Sequence, residues 1–591
     1  MSVRWFQKLA QSAPVTPRAP EVPKAPARPK TPKLPKPPSA TKGPNGHWRT
    51  LPPGHQGHDA QGNAQAGRTW VRRGGGLKPS AAPMKHQADF TKAVTKLPTK
   101  KPSGLIAAHG TGTGKTFSAI AAVEKLREKG QVERTLVVAP AGLRSNFLAK
   151  GVNKFTTSKG VIANRPGDIP KDAHYVVVSY AAFRQNPDAY IDAYQPDTLI
   201  VDEAHRLTNM ESASYKAIRH ARTRIPRVIP LTASIVQNDP SDVVPLLNIV
   251  AGQDHTRKEF KQRYVRRVPT GQKGVFGGKV YAKKIVRQEE LKRTIGPHIH
   301  YIEDLDADKK PAKEVETVEV PMNAEQLKLY RMSMKGVDPK LQARIAAGEA
   351  VSQREAMTVF TRLMRARQVS NSIHTVQPSM TPGQAADATP KIKQILDDAA
   401  AHIDSTPDAQ IIMYSNMVHG GVDVLKAGLE KRGIPFGIFA GKGVKGITEE
   451  TRQQAVDDYL AGKIKAIIIT GAGAEGLSLG NTTLVQLVDG HYNPERISQA
   501  EARGVRAGGQ AHRPQSERRV AVKRYVSTLP RGFWKTITMQ PREKSVGQWV
   551  YATAERKRAA NEQFRAVLSA RHEHEQKSRE STLYRLFGGG P

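Results

Sequence analysis

Short apolar runs alternate with longer amphipathic segments along the chain from about residue 81 onward. The apolar runs are short and rich in aliphatic and β-branched residues, and the segments between them have the pattern of helices with one buried face. Nearly continuous apolar runs of this length are typical of central parallel strands that are covered on both faces. The runs predict strands at 135–139, 175–179, 198–201, 228–232, 411–415, 466–470, 484–488 and 520–525.

The predicted strands fall into two groups, one before about residue 250 and one after about residue 385. Strands that are separated by helices imply βαβ units and open parallel sheets. The region between the groups is charged and helix-rich, and its Gly/Lys-rich stretch 269–284 predicts a loop or a β-hairpin. The fold class is therefore α/β, with two parallel-sheet lobes and a helical insertion between them.

Residues 1–80 have a different pattern, which predicts no folded core. Nine prolines recur at every third residue from 14 to 38. Because polyproline II has three residues per turn, these prolines would share one edge of an extended helix whose second edge is mostly basic. This arm is either a semi-rigid spacer or a ligand for a protein partner that recognises proline motifs. The Gly/His/Gln-rich stretch that ends at 74–76 predicts a flexible linker.

The chain carries a large positive charge, with 92 Lys and Arg against 53 Asp and Glu and a formal net charge of +39. Such an excess indicates a polyanionic partner, and a basic tail that only improves solubility is the alternative. No apolar run reaches the ~20 residues that a transmembrane helix needs, so no membrane partner is expected. The chain has no cysteine, which excludes disulfides and thiolate metal sites, and a cytoplasmic setting is the default.

A glycine-rich turn follows one apolar run and precedes a helical pattern, in the sequence LIAAHGTGTGKT at 105–116. Glycines let the backbone fold around phosphate groups so that its N–H groups point at them from a helix N-terminus. Lys115 is expected to reach the β- and γ-phosphates of ATP, and the Thr116 hydroxyl to bind Mg²⁺. The strict GxxxxGK[ST] pattern fails at its first position, where His109 stands. The predicted phosphate loop consists of Gly110, Thr111, Gly112, Thr113, Gly114, Lys115 and Thr116.

A pair of acidic residues follows the predicted strand 198–201, in the sequence TLIVDEAH. Metal-assisted phosphoryl transfer needs a carboxylate that holds Mg²⁺ and a group that orients or deprotonates the attacking water. Asp202 is the candidate for the first role and Glu203 for the second. An Asp-Glu pair that merely begins a surface helix is the alternative.

Three polar residues near the end of the chain have helical spacing. Gln499, Arg503 and Arg506 stand at i, i+4 and i+7, which predicts one face of a helix. A facing nucleotide would give these side chains a polar partner, with the arginines neutralising charge as the γ-phosphate leaves. A solvated helix face is the alternative. The glycines of the preceding turn, Gly471, Gly473 and Gly476, permit close approach to a phosphate of the nucleotide or of nucleic acid.

These motifs, in this order, resemble superfamily-two helicases and, within them, Swi/Snf-type DNA translocases. The resemblance covers roughly residues 81–555. Gln87, in MKHQ, stands where that family has the glutamine that reads adenine. The other matching segments are LVVAPAGLRSNF (136–147), similar to a motif that touches a nucleic-acid strand, and DEAHRLTN (202–209), LTASIVQN (231–238), TGAGAEGLSL (470–479) and HYNPERISQAEARGVRAGGQ (491–510), similar to the second, third, fifth and sixth motifs.

The chain also departs from the family pattern. Ala233, Ser234 and Ile235 stand where the third motif usually has Gly, Thr and Pro, and Thr208 replaces a lysine. Pro230 lies at the edge of a predicted central strand, where a missing N–H is unfavourable. These departures concern the coupling of hydrolysis to movement more than nucleotide binding.

The resemblance implies two RecA-like lobes that clamp ATP and Mg²⁺ between them, while nucleic acid lies across both lobes. Duplex DNA is the leading candidate, tracked without strand separation as the cleft closes and opens. A strand-separating DNA or RNA helicase is one alternative, and a DNA-binding or scaffold protein with a decayed ATPase is another. A compact motor with a basic arm would suit a virus or mobile element, and thus a host cytoplasm.

The expected domains are a disordered arm and linker at 1–80, an ATP-binding lobe at 81–250, a helix-rich insertion at 251–384, a C-terminal helicase lobe at 385–555 and a basic helical tail at 556–591.

Overall fold

The computed structural model describes residues 46–50, 56–58, 64–66, 68–72 and 76–586, with gaps at 99–101, 111, 274–278, 304–308, 378, 507 and 531–543 and within 336–351, 442–445 and 472–478. The proline-rich arm at 14–38 lies outside these residues, as do Thr111 of the phosphate loop and Gly473 and Gly476 of the fifth motif. No helix in the described part of the chain is both long and apolar enough to cross a membrane.

The stretch between the arm and the first lobe contains short strands where the sequence predicted a flexible linker. β1 (Gly46–Thr50) pairs antiparallel with β4 (Arg68–Arg72), and β2 (Gln56–His58) pairs antiparallel with β3 (Ala64–Ala66). The glycine and histidine content hid this pattern, although the Thr-Trp-Val sequence inside β4 consists of residues that favour strands.

The first lobe is built on a parallel sheet in which every predicted strand before residue 250 is present. In this sheet Leu136 and Val138 face one hydrophobic layer while Val137 and Ala139 face the other. Both faces are therefore covered by helices, which explains why these strands have continuous apolar runs. The strands are β5 (Ser103–Gly104), β6 (Ile106–His109), β7 (Thr135–Ala139), β8 (Gly160–Ile162), β9 (Tyr175–Ser179), β10 (Thr198–Val201), β11 (Arg227–Thr232) and β14 (Ile299–Ile302), in the order β14-β6-β11-β10-β7-β9-β8, with β5 paired to β11.

Pro230 explains an interruption in this sheet. On one side β11 pairs continuously with β10, and Pro230 lies opposite Val201. On the other side the pairing stops between Val228 and Leu231, so that β5 and β6 are separate strands. A proline has no N–H to donate, and the ladder is broken where that donor is missing.

The second lobe has its own parallel sheet, which contains all the predicted strands after residue 385. Alternate residues again face two layers, with Ile411 and Met413 on one side and Ile412 and Tyr414 on the other. The strands are β15 (Ala312–Pro321), β16 (Ile411–Tyr414), β17 (Phe436–Phe439), β18 (Ala466–Ile469), β19 (Leu484–Leu487) and β20 (Arg519–Thr528), in the order β15-β20-β19-β16-β18-β17. Two parallel-sheet lobes, the predicted architecture, are therefore confirmed.

The region expected to be a helix-rich insertion is divided between the lobes. Strand β14 lies at the edge of the first sheet and β15 at the edge of the second, although both fall within 251–384. The predicted hairpin is present as β12 (Val265–Lys273) and β13 (Lys279–Ile285). The predicted strands do not include β15, because it is mostly exposed and has a charged sequence, unlike a buried strand. The expected domain boundaries at 250 and 385 stay predictions.

Helices flank both sheets. In chain order the longer ones are α1 (Lys85–Thr95), α2 (Lys115–Glu128), α3 (Tyr180–Gln185), α4 (Pro187–Tyr194), α5 (Ala213–Arg224), α6 (Val244–Ala251), α7 (Arg257–Tyr264), α8 (Gln288–Ile295), α9 (Ala324–Met334), α10 (Gln353–Asn371), α11 (Pro382–Ala388), α12 (Pro390–Ser405), α13 (Asp423–Lys431), α14 (Glu449–Leu460), α15 (Pro494–Gly504) and α16 (Val546–Leu586). Several begin at side-chain caps, as α10 does at Ser352, which accepts the Glu355 N–H.

The last helix, α16, connects the two lobes. Its first turns bury Trp549 and Val550 against α9 and α10, and Phe564 and Leu568 lie in the core of the first lobe. The sequence predicted a lobe boundary at 555 and a basic tail beyond it, whereas a single helix runs through this boundary. The many Lys and Arg residues of α16 concealed the few apolar positions that dock it.

Candidate functional site

The phosphate loop lies between β6 and α2, at the carboxyl edge of the first sheet. Gly112 and Gly114 have φ angles of +85° and +76°, which glycine adopts without the steric cost that a side chain would impose. Gly114 immediately precedes α2, a helix of 14 residues. The N–H groups of a helix's first turn have no acceptor within the helix, and here they point towards the loop. The loop geometry therefore suits an anion at the helix N-terminus.

Two side chains from the start of α1 support this loop. His86 Nε2 lies 2.8 Å from the Thr113 carbonyl oxygen, and Gln87 Nε2 donates to the same oxygen at 3.1 Å. Gln87 is 2% exposed, and its Oε1 accepts the Met84 N–H at 2.9 Å. The resemblance implied that Gln87 reads adenine, and in this structure its amide is engaged with the loop backbone. That implied role stays a prediction.

His109, which breaks the strict motif, is fully buried beneath the loop. Its Nε2 lies 2.9 Å from Nδ1 of His300 on β14, and the Phe90 ring packs edge-on against both imidazoles. His109 Nδ1 is 3.4 Å from the Ser118 hydroxyl of α2. The histidine at this position thus joins the loop to the edge strand of the sheet and to the helix that follows.

Lys115 and the acidic pair meet at the same edge of the sheet. Lys115 Nζ donates to Glu203 Oε1 at 2.9 Å. Burial opposes the charge on Lys115, but the Glu203 and Asp202 carboxylates outweigh it and raise its pKa. For Glu203, burial also acts against ionisation, yet Lys115 and His205 hold the pKa of this carboxyl below its usual range. Lys115 and Glu203 are 88 positions apart in the sequence, and the structure brings them into contact.

Glu203 has an unusual backbone for a residue with a side chain. Its φ of +49° lies in the left-handed region, which costs a non-glycine residue about 1–2 kcal/mol. The turn aims the carboxylate at Lys115 on one side and places its Oε2 at 3.2 Å from His205 Nδ1 on the other. Strain of this kind at a charged residue is typical of functional sites.

Asp202 differs from Glu203 although the two are adjacent. Burial raises the pKa of Asp202 to about 6, against the opposing effect of Lys115. Its Oδ1 is buried and has no hydrogen-bond partner among the described residues. An unsatisfied carboxylate oxygen fits a hard divalent cation. The half-buried Thr116, the other predicted ligand, lies at the start of α2. The described residues contain no cluster of three or more His, Asp or Glu side chains that could hold a metal alone.

The second lobe contributes α15 and the residues just after it. Arg503 Nη1 and Arg506 Nη2 donate to the same acceptor, the Leu477 carbonyl oxygen, at 3.1 and 2.9 Å. Burial lowers the pKa of Arg506, whose Nε is buried without a hydrogen bond. Helix α15 ends at Gly504, so Arg506 lies beyond it and not on the predicted helix face. The helix stops where Gly504 packs so closely on Thr482 that a Cβ would not fit.

A cavity of about 730 Å³ lies between the lobes and joins their candidate residues. Gly110 of the phosphate loop lines it from the first lobe, and Gln499, Arg503 and Arg506 line it from the second. The side chains of Lys115, Asp202 and Glu203 are not part of its wall. The cavity therefore does not enclose the acidic pair.

Contacts across the cleft involve residues that the sequence did not single out as a pair. Ser234, at the end of β11, donates its hydroxyl to Glu495 Oε2 at 2.9 Å. Asn493 Nδ2 donates to Gln237 Oε1 at 3.3 Å. Glu495 also forms an ion pair with Arg565 of α16. Ser234 departs from the pattern of the third motif, but no feature of the sequence links it to Glu495, which is 261 positions away.

Known proteins are similar to this chain over most of its length. The family model of the SNF2-related domain matches residues 2–375, and that of the helicase conserved C-terminal domain matches residues 391–508. A protein of Acanthamoeba polyphaga mimivirus named "Putative ATP-dependent RNA helicase L538" is 26% identical over 435 residues, covering 73% of this chain and 87% of the relative. The "Uncharacterized ATP-dependent helicase YqhH" of Bacillus subtilis is 22% identical, covering 73% of this chain and 74% of the relative.

Among solved structures, the Sulfolobus solfataricus SWI2/SNF2 ATPase core in complex with dsDNA aligns with 82% of this chain and 97% of its own. Its sequence identity is 16% and its TM-score 0.33. The model of the SNF2-related domain spans more than half of the chain. The model of the helicase C-terminal domain follows it, as the second lobe follows the first. The chain belongs to the SNF2-related family of helicase-like ATP hydrolases.

Proposed function

We propose that this protein is a translocase that moves along duplex DNA and uses the ATP hydrolysis of its family to drive the movement. The observation that carries the proposal is the shared cavity, which is lined by Gly110 of one lobe and by Arg506 of the other. A nucleotide on the phosphate loop would contact both lobes only when the cleft is closed. Its hydrolysis would therefore change the position of one lobe relative to the other.

Each candidate residue has a role in this scheme. The N–H groups of the loop Gly110–Thr116 would cradle the phosphates, with Lys115 neutralising the β- and γ-groups. Asp202 and Thr116 would hold Mg²⁺, which would supply charge neutralisation on the phosphate oxygens. Glu203 would orient the attacking water and accept its proton. For this Glu203 would first exchange its ion pair with Lys115 for that water, since the lysine would turn to the phosphates.

The second lobe would supply the arginines. Arg506 is the stronger candidate, because its guanidinium is partly buried with no acidic partner among the described residues. A buried cation of this kind is stabilised when an anion enters the cleft. Arg503 and Gln499 line the same cavity and would complete the contact with the γ-phosphate. Arginine fits this role because its planar fork reaches two phosphate oxygens at once.

Duplex DNA as the track is supported by the charge of the chain and by its resemblance to Swi/Snf-type translocases. A net charge of +39 favours a polyanion, but it does not distinguish DNA from RNA. The mimivirus relative carries an RNA helicase name. A strand-separating helicase on RNA is therefore the second candidate.

One experiment separates the two candidates. ATP hydrolysis by the full-length chain is measured with duplex DNA, single-stranded DNA, duplex RNA and single-stranded RNA, and strand displacement is measured in parallel. We expect duplex DNA to stimulate hydrolysis most, without displacement of a strand. A triplex-forming third strand, which a duplex translocase dislodges without unwinding the duplex, provides the positive readout. Stimulation by RNA together with strand displacement would support the helicase instead.

A further inference from the structure

The hairpin β12–β13 has a charge distribution that its own folding does not explain. Residues 265–285 include six Lys and Arg and no Asp or Glu. In the register of the hairpin, Arg266 lies opposite Lys284 and Arg267 lies opposite Lys283. Cross-strand neighbours have Cβ atoms only about 4.5–5.5 Å apart, and like charges directly opposite each other are destabilising. The repulsion in two such successive pairs must be offset by other groups.

The inner face of the hairpin, which carries Arg267 and Lys283, has partners for its cations within the protein. Ile285 is buried, and Lys283 pairs with the buried Asp239 of the first lobe. Burial lowers the pKa of Lys283 to about 8. On the same face the Arg267 guanidinium lies over the Tyr281 ring, 4.2 Å from its centroid. The inner pair of cations is thus accommodated by an acid and an aromatic ring.

The outer face, which carries Arg266 and Lys284, has no such partner among the residues that the structure describes. Arg266 and Lys284 are exposed there beside Val268, which is 39% exposed. Neither cation has a described acidic side chain within ion-pair distance, whereas Arg263, just before the hairpin, pairs with Glu290. The outer pair of cations is therefore exposed to solvent without an acidic partner among the described residues.

The hairpin is held firmly in place. Helix α16 packs along β13, and Gln563 Oε1 accepts the Ile285 N–H at 3.1 Å. At the other end of β12, Arg556 donates to Gln272 Oε1 at 3.4 Å. Because α16 also contacts the second lobe, the hairpin lies on the element that connects the two halves of the motor.

We propose that the outer face of β12–β13, with Arg266 and Lys284, binds the phosphate backbone of the duplex DNA on which the protein moves. The inference rests on the proposed function and adds a contact outside the family motifs. Phosphates offset the repulsion between the two cations. Single-stranded nucleic acid is usually bound by stacking bases on aromatic rings. Among the described residues of the hairpin the aromatic ring is that of Tyr281, which is 37% exposed and lies under the Arg267 guanidinium on the inner face. The outer face therefore offers no described ring for a base and suits a phosphate backbone.

The test compares the full-length protein with an Arg266→Ala/Lys284→Ala variant in duplex DNA binding over a series of salt concentrations. Each phosphate contact contributes about 0.9 to the slope of log affinity against log salt. Two lost contacts should therefore lower the slope by about 1.8 and the affinity by roughly tenfold or more near 0.1 M salt. An Arg266→Lys/Lys284→Arg exchange keeps both charges and should retain the slope. Melting temperature and nucleotide affinity report whether each variant is folded.

A matched control removes the same charge elsewhere. Lys159 and Lys216 are exposed on the first lobe and pair with Asp172 and Glu211. A Lys159→Ala/Lys216→Ala variant should bind with the slope of the unmodified protein. Equal losses in both double variants, or an unchanged slope in the hairpin variant, would overturn the proposal. A loss seen only with single strands would overturn the duplex assignment, and an unmodified protein that binds no nucleic acid would overturn the proposed function as well.

Discussion

The Ser234 hydroxyl donates a 2.9 Å hydrogen bond to Glu495 Oε2, and this bond joins the two lobes. Ser234 follows β11, which is the neighbour of β10, the strand that ends just before Asp202. Glu495 lies in the first turn of α15, the helix that carries Arg503. This buried contact therefore joins the carboxyl edge of the first sheet directly to α15.

Removal of this bond should weaken the coupling between hydrolysis and movement. We expect Ser234→Ala to lower DNA-stimulated turnover about threefold to tenfold, because a buried hydrogen bond contributes about 0.5–1.5 kcal/mol. Nucleotide affinity should stay within about twofold, since Ser234 lies outside the phosphate loop. Steady-state hydrolysis and nucleotide titration measure the two effects. The control Ser212→Ala removes a helix cap on α5, far from Glu495, and a similar turnover loss there would exclude a specific role for Ser234.

The parts of the site that the sequence revealed are those contained in single contiguous segments. The phosphate loop and the Asp202–Glu203 pair could be predicted because a strand, a turn and a helix follow one another within a dozen residues. The contact between Ser234 and Glu495 could not, because it depends on how the lobes are placed. The docking of α16 was also missed, since Phe564 and Leu568 are isolated apolar residues in a basic helix.

Lys115 tests the nucleotide site itself. We expect Lys115→Ala to abolish ATP hydrolysis while duplex DNA binding changes only a few-fold, because the lysine lies in the cleft beside Glu203. Lysine removal also leaves the buried Glu203 carboxylate with one cationic neighbour fewer, and the melting temperature of the variant should fall. Phosphate release and fluorescence anisotropy are measured on one preparation. Hydrolysis near the rate of the unmodified protein would show that this loop does not bind the reacting phosphates.

His174 should make the first lobe sensitive to acid. Burial, followed by the Arg127 charge, lowers the pKa of His174 to about 4, from 6.5 in an unfolded chain. The ring also accepts the Lys159 N–H at Nδ1, which requires the neutral form. Between these two pKa values the unfolded state binds the proton more tightly, so this stability is complete above pH 6.5 and lost as the pH falls towards 4.

An asparagine at this position keeps an acceptor oxygen but does not titrate. The melting temperature of His174→Asn should therefore fall less steeply between pH 6.5 and 4 than that of the unmodified protein. The other acid-sensitive groups of the chain titrate in both proteins, and the difference between the two curves isolates His174. Parallel curves would contradict the assignment of a neutral buried ring.

Arg503 and Arg506 test whether hydrolysis depends on closure of the lobes. Both lie on the second lobe, and both donate to the Leu477 carbonyl oxygen. An interaction that forms mainly in the transition state contributes to turnover and little to ground-state affinity. We therefore expect Arg506→Lys and Arg503→Ala each to lose about tenfold or more in DNA-stimulated turnover, given that arginine fingers contribute ~10³–10⁵ in rate.

Nucleotide affinity in these variants should change little, and the matched control is Arg519→Ala. Arg519 belongs to the same lobe, and its ion pair with Glu314 is exposed on both sides, so its loss should leave turnover unchanged. Lysine should not replace Arg506, because an ammonium lacks the planar fork that spans two phosphate oxygens. If affinity fell in step with turnover, the arginines would bind the ground state, and the proposed dependence on closure would fail. If turnover survived both changes, the γ-phosphate would be stabilised from the first lobe alone, and the shared cavity would not be the place where hydrolysis and movement are coupled.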